Sequence, residues 1–207
     1  MSGIIAQNSG RHTGLVKASS VTSSDAVWNL IKTYTASSDS DLSFVEGTDD
    51  IDFTAYDEYV FKFHNIHPAT QSAFEFNVSI DGGSNYNVEK TTTSFRASHH
   101  TDPADDRSSL QYETTYDLAA GTGFQSLDQE NLPTDNESVE NGYLHLFSPS
   151  DTTFVKHFIS SAVEGTVWFN HNFVAGYINT TSAIDAVRFQ MSSDEIDAGS
   201  ISLYGIS

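Results

Sequence analysis

The feature that most constrains this chain is a two-residue alternation of apolar and polar side chains, repeated along its length without any sustained 3.6-residue period. In "AFEFNVSID", Phe74, Phe76, Val78 and Ile80 alternate with Glu75, Asn77, Ser79 and Asp81. In "EYVFKFHNI", Tyr59, Phe61 and Phe63 alternate with Val60, Lys62 and His64. Successive side chains of an extended strand point to opposite faces, so this pattern sets one face on a core and the other in water. Phe61, Phe63, Phe74, Phe76 and Val78 are therefore expected inward.

Further strands are expected at 27–35, 92–98, 109–116, 142–148, 153–160, 167–178, 186–191 and 200–206, between clusters rich in Ser, Thr, Asn, Asp and Gly. About ten short strands with such connections predict an all-β domain, a β-sandwich or jelly roll, over residues 25–207. Two looser stretches, 99–108 and 119–141, read as loops at the sandwich edge, where binding function concentrates.

The segment "VSIDGGSNYN" (78–87) nearly spells the Asp-box of sialidases. It directly follows an alternating strand, and no internal repeat accompanies it, as a propeller would require. The expectation is a hairpin turn in which the glycines take positive φ and Asp81 accepts hydrogen bonds from the turn's own amides.

Charge divides the chain. There are 28 acidic and nine basic residues, a net of −19. Such a surface repels phosphate backbones, which argues against nucleic-acid binding. Residues 1–24 contain no acid and carry Arg11 and Lys17, whereas 25–207 hold every acid and a net charge of −21. The first segment reads as an N-terminal attachment arm, with Arg11 and Lys17 set against acidic groups of a partner and Leu15 and Val16 as apolar anchors. No run approaches the roughly 18 apolar residues of a membrane span, so no membrane insertion is expected. Without a signal-like segment, synthesis in the cytosol is expected. Cysteine is absent, which removes disulfides and thiolate metal sites.

Several constellations invite chemistry. Adjacent His99 and His100 near Asp102, Asp105 and Asp106 have metal-ligand residue types, yet neighbours on a strand face opposite ways. The acidic stretch "SSDSDLSFVEGTDDID" offers Asp39, Asp41, Asp49 and Asp50 as Ca²⁺ candidates, with a solvated loop as the competing reading. Paired carboxylates come free among so many acids, and no HExxH, nucleophile, phosphate-loop or dinucleotide signature is present. A non-enzymatic protein without cofactor is expected. The strand "VWFNHNF" is bulky on both faces: Trp168, Asn170 and Asn172 on one, Val167, Phe169, His171 and Phe173 on the other. One sheet face can bury only part of that, so Trp168, Phe169 and Phe173 are candidates for a subunit interface.

The chain also resembles small structural proteins of tailed bacteriophages, especially those of marine bacteria. The similar segments are "NSGRHTGLVKA" (8–18), "YDEYVFKFHNIHPAT" (56–70), "SIDGGSNYN" (79–87), "LHLFSPSDTTFVKHFIS" (144–160) and "YINTTSAIDAVRFQMSSDEIDAGSISLYGI" (177–206). They cover most of the chain, the last being the most specific. The resemblance implies a virion component displayed on the particle exterior: a tail fibre or tail tip contributing to host attachment, or a capsid decoration (cement) protein. It further implies a jelly-roll body, a homo-oligomer with a trimer favoured, and partners among other virion proteins. It supplies no catalytic residues. Two other classes stay open: a carbohydrate-binding β-sandwich module, marked by exposed aromatics around a loop-lined groove, and a glycan-cleaving enzyme, marked by two facing carboxylates in a cleft. Contact with a host surface glycan is compatible with the tail-fibre reading too.

Overall fold

The computed structural model describes residues 28–165 and 167–207; residues 1–24, the expected attachment arm, and residues 25–27 lie outside them. Among the described residues there are twelve strands and a 3-10 turn at Thr114–Tyr116, with no α-helix. The strands are β1 (Trp28–Asp39), β2 (Asp41–Val45), β3 (Glu58–Pro68), β4 (Phe74–Ser79), β5 (Lys90–His100) and β6 (Ser108–Tyr112). They continue with β7 (Gln125–Ser126), β8 (Glu140–Phe147), β9 (Lys156–Gly165), β10 (Trp168–Ile178), β11 (Ala186–Met191) and β12 (Ile196–Ile206).

Two antiparallel sheets form a β-sandwich. The large sheet has eight strands in the order β1-β12-β3-β8-β9-β10-β5-β6, and the small one has four, β2-β11-β4-β7. The alternating segments became strands as expected, and Phe61, Phe63, Phe74, Phe76 and Val78 are buried. The short β2 and the two-residue β7 were not expected from the sequence. The first lies inside the acidic stretch, where Leu42 and Phe44 alone face the core.

Between the sheets the core is a ring cluster. Phe189 of β11 packs on Phe61, Phe63 and Phe74 at centroid separations of 5.2, 5.3 and 5.8 Å, and Phe76 meets Phe158 at 4.9 Å. Edge-on and offset contacts of this kind add to the stabilisation from area burial alone. The fully buried Tyr59 keeps its polar end satisfied: its hydroxyl donates to the Asp52 carbonyl (2.5 Å) and accepts from the Tyr56 amide (3.0 Å).

The Asp-box look-alike is a turn, with one correction. Gly82 and Gly83 take φ of 71° and 77°, the region only glycine enters freely. Asp81 accepts the Asn85 amide (2.9 Å) and the Ser79 hydroxyl (2.8 Å). However, β4 and β5 do not pair as a hairpin: β4 sits beside β11 and β7 in the small sheet, β5 beside β10 and β6 in the large one. The turn starts a crossover between sheets, because the apolar face of β4 is completed by Val187 and Phe189 of β11.

Candidate functional site

Half of the large sheet is turned inside out. One row read across the inner face runs Ile201, Phe63, Gly142, Ala162, Asn172, Arg96, Gln111, from β12 to β6. It begins apolar and ends polar. The adjacent row on the outer face runs Ser202, Lys62, Tyr143, Ser161, Phe173, Phe95, Tyr112 and does the reverse. A strand residue on the wrong face is ordinarily a register error, but here four consecutive strands agree.

The cause lies in what covers each part. The small sheet, apolar on its inner side, packs against β3 and the neighbouring strands through the ring cluster above. Over β9, β10, β5 and β6 the cover is instead the segment 113–139, largely irregular. Irregular backbone leaves donors and acceptors that need partners, so the facing strands must be polar. The Leu118 amide donates to Thr92 Oγ1 (2.8 Å), the Gln129 amide to Asn172 Oδ1 (3.3 Å), and Gln129 Nε2 to Ser94 Oγ (2.8 Å).

The outer face of the same strands carries the apolar side chains that the inner face gave up. Tyr143, Ile159, Phe95, Phe169, Tyr112 and Leu110 are 39% to 76% exposed. Phe95 and Phe173 stack with centroids 4.9 Å apart, and a shallow depression of about 270 Å³ opens between them, Tyr143 and Ile159. Toward β1 the surface continues as rings: Trp28 meets Tyr204 at 5.6 Å and His145 at 6.2 Å, and His145 meets Tyr143 at 5.0 Å. A contiguous apolar surface of this kind marks an interaction site on a folded protein.

Of the expected interface residues, Phe169 and Phe173 lie on this outer face. Trp168 does not, because strand alternation puts it with Asn170, Asn172 and Val174 on the inner side. There it is held by the edge of His100 (4.9 Å) and by the Arg107 guanidinium over its ring (5.1 Å).

The Ca²⁺ candidates do not converge on one point. Asp49 accepts from Lys32 Nζ and Tyr34 OH, both at 2.9 Å, and Asp41 lies 3.4 Å from Arg188 Nε. Asp39 accepts the Ser37 amide, while Asp50 sits exposed at positive φ in the β2–β3 loop. His99 and His100 point to opposite sides, and His100 lies 3.6 Å from Asp105. Among the described residues no group of three or more His, Asp or Glu converges as metal ligands would. Arg11, Leu15, Val16 and Lys17 lie outside the described residues.

Sequence reasoning missed the inner cluster of acids. Asp128, within segment 113–139, and Glu140 and Glu164 on β8 and β9 are all buried. Burial pushes all three carboxyls upward, and mutual repulsion adds to it for Asp128 and Glu140. Asp128 accepts the Phe74 amide (2.9 Å), and Glu164 accepts from Asn170 Nδ2 (2.7 Å), but both Glu140 oxygens lack a partner. The signal available in the sequence was polar Asn170 and Asn172 on the face that also carries Val174.

Where this polar interior reaches the surface, two hollows adjoin, sharing Glu130 and Trp168 in their walls. The larger, about 350 Å³, is lined also by Glu164, Asn170, Tyr116 and Gln71. The smaller, about 210 Å³, is lined also by Arg96, Ser98 and Gln111. Arg96 Nη2 lies 2.5 Å from Glu130 Oε1, and Arg96 Nε donates to Gln111 Oε1 (2.6 Å). Both expected loops, 99–108 and 119–141, contribute to this end of the molecule. Comparison with protein-family models, with curated proteins and with solved structures returned no match.

Proposed function

We propose that this chain is a non-catalytic structural protein of a bacteriophage virion, displayed on the particle exterior as part of a tail fibre or tail tip, and assembled through the outer face of its large sheet. The observation that carries the assembly part is the apolar face of β9, β10, β5 and β6. A body with a net charge of −21 repels its copies at long range, so association needs specific apolar contacts, and this face supplies them. Edge strand β6, with Leu110 and Tyr112 exposed, extends the same surface to a sheet edge open to pairing. The virion part rests on the resemblance of segments 8–18, 56–70, 79–87, 144–160 and 177–206, with a trimer as the expected assembly. The acid-free residues 1–24, with Arg11 and Lys17, are assigned to docking on other virion proteins.

The test is to locate the protein by gold labelling on intact particles and to repeat the labelling with residues 1–24 deleted. Label at the tail that disappears on deletion is the expected result. Label on the capsid replaces the tail reading with a decoration protein. Absence from particles removes the virion reading, and unchanged incorporation of the truncated chain removes the docking role of the arm.

A further inference from the structure

We propose that the two hollows sharing Trp168 and Glu130 form one binding site for an uncharged saccharide, stacked on the indole and held by the Arg96–Glu130 pair. The inference rests on this geometry alone and stands whether or not the chain belongs to a virion.

Three observations converge on that ligand. The first is a fixed aromatic platform. Trp168 is only partly buried, is clamped by His100 and Arg107, and lines both hollows. A sugar ring presents a face of C–H groups that packs on such a surface, and the clamped indole gives up little conformational freedom on binding. The second is a donor placed beside an acceptor. Arg96 Nη2 and Glu130 Oε1 lie 2.5 Å apart, so neighbouring hydroxyls of one ring find a guanidinium to accept from and a carboxylate to donate to.

The third is unmet hydrogen bonding in the walls. Asn170 is 1% exposed and its Oδ1 has no partner; Arg96 is 8% exposed and its Nη1 has none; Ser98 Oγ is likewise alone. Buried polar atoms are usually paired; of the ten side-chain atoms without a partner among the described residues, these three belong to residues lining the two hollows. They are an acceptor, a donor and a hydroxyl lying just beneath the accessible surface, which a small movement of the wall presents to a polyol. The larger hollow, about 350 Å³, is of the size that takes a small molecule, roughly 300–1,000 Å³.

The same walls exclude the alternatives. Glu130 stands in both walls, and the two guanidinium groups at the site, Arg96 and Arg107, are already paired with Glu130 and Asp105, so phosphate and carboxylate ligands find their cations neutralised. An apolar ligand would strand the polar groups.

The experiment uses the full chain carrying Trp28→Phe, which leaves Trp168 as its sole indole. Maltotriose and tri-N-acetylglucosamine are the neutral probes, backed by an array of neutral glycans; trigalacturonate and glucose 6-phosphate are the charged controls. A neutral probe is expected to shift Trp168 emission saturably, with neither charged control doing so. In calorimetry, Glu130→Gln should weaken binding about tenfold and Trp168→Ala should abolish it. Glu130 lies at the surface, so its isosteric variant reports on the site even if Trp168→Ala does not fold. No binding by any neutral glycan, binding by the charged controls alone, or affinity unchanged in Glu130→Gln would each overturn the proposal. Cleavage of a neutral probe supports the saccharide site and removes the non-catalytic reading of the protein, so the two ideas fail separately.

Discussion

Phe95 and Phe173 stack 4.9 Å apart, with planes 13° from parallel, on the solvent side of the large sheet. Their chain neighbours Arg96 and Asn172 pair across the same two strands on the inside. An isolated sandwich gains nothing from this arrangement, since rings lie in water while amide and guanidinium groups lie in the interior. Both halves become sensible if the outer face is covered by another subunit and the inner face serves the loop that lies over it.

The outer face should govern self-association and contribute little to the fold. We expect the full chain to be oligomeric by light scattering at micromolar concentration, and the double variant Phe95→Ser, Phe173→Ser to be monomeric. Thermal stability of the monomeric variant should change only slightly, because surface substitutions usually cost within about 0.5 kcal/mol. A monomeric wild-type chain would remove the interface.

Glu140 should make the protein less stable as pH rises. Its carboxyl is pushed up by burial and by Asp128 and Glu164, so the native state binds a proton that the unfolded state has released. The stability this contributes is complete below the usual carboxylate range and is lost as pH rises through the native value; Asp128 and Glu164 act in the same direction. Glu140→Gln keeps the shape and removes the charge. It should stabilise the protein by about 1–3 kcal/mol at pH 8, with the difference vanishing near pH 4. Equal melting shifts at both pH values would contradict this.

Lys90 has the opposite slope in a higher window. Its Nζ, buried in the core, donates to Asn77 Oδ1 (2.6 Å) and to the Gly123 (2.8 Å) and Val88 (3.1 Å) carbonyls. Burial pushes its pKa down to about 7, against a small pull from Glu75. Between about pH 7 and the ordinary lysine value near 10.4 the unfolded chain binds the extra proton, so stability should rise with pH there. Over the whole window the gain is on the order of 4–5 kcal/mol at most. Lys90→Met should flatten the rise, leaving a smaller residue from Lys156, which burial also lowers. Denaturant titrations at pH 7 and pH 9.5 measure both slopes.

The sequence by itself determined all the strands but β2 and β7, and which side of the ring-bearing ones meets the core. Alternation is a local property, and Phe61, Phe63, Phe74 and Phe76 carry it wherever their strands come to lie. It also determined that Asp81 and two glycines build a turn, since that chemistry is confined to a few consecutive residues. What the turn joins was decided only by tertiary pairing, which placed β4 and β5 in different sheets. The inverted half of the large sheet was likewise hidden. In "VWFNHNF" both faces are bulky, and nothing local tells which will meet an apolar sheet and which a polar loop. That depends on segment 113–139 returning over β10 and β5, where its Leu118 amide donates to Thr92 Oγ1 and its Gln129 amide to Asn172 Oδ1. The same return brings Glu130 to Arg96, 34 residues earlier in the chain, and opens the cleft at Trp168. Distant carboxylates become neighbours only when non-local strands pair, so the site belongs to the tertiary structure.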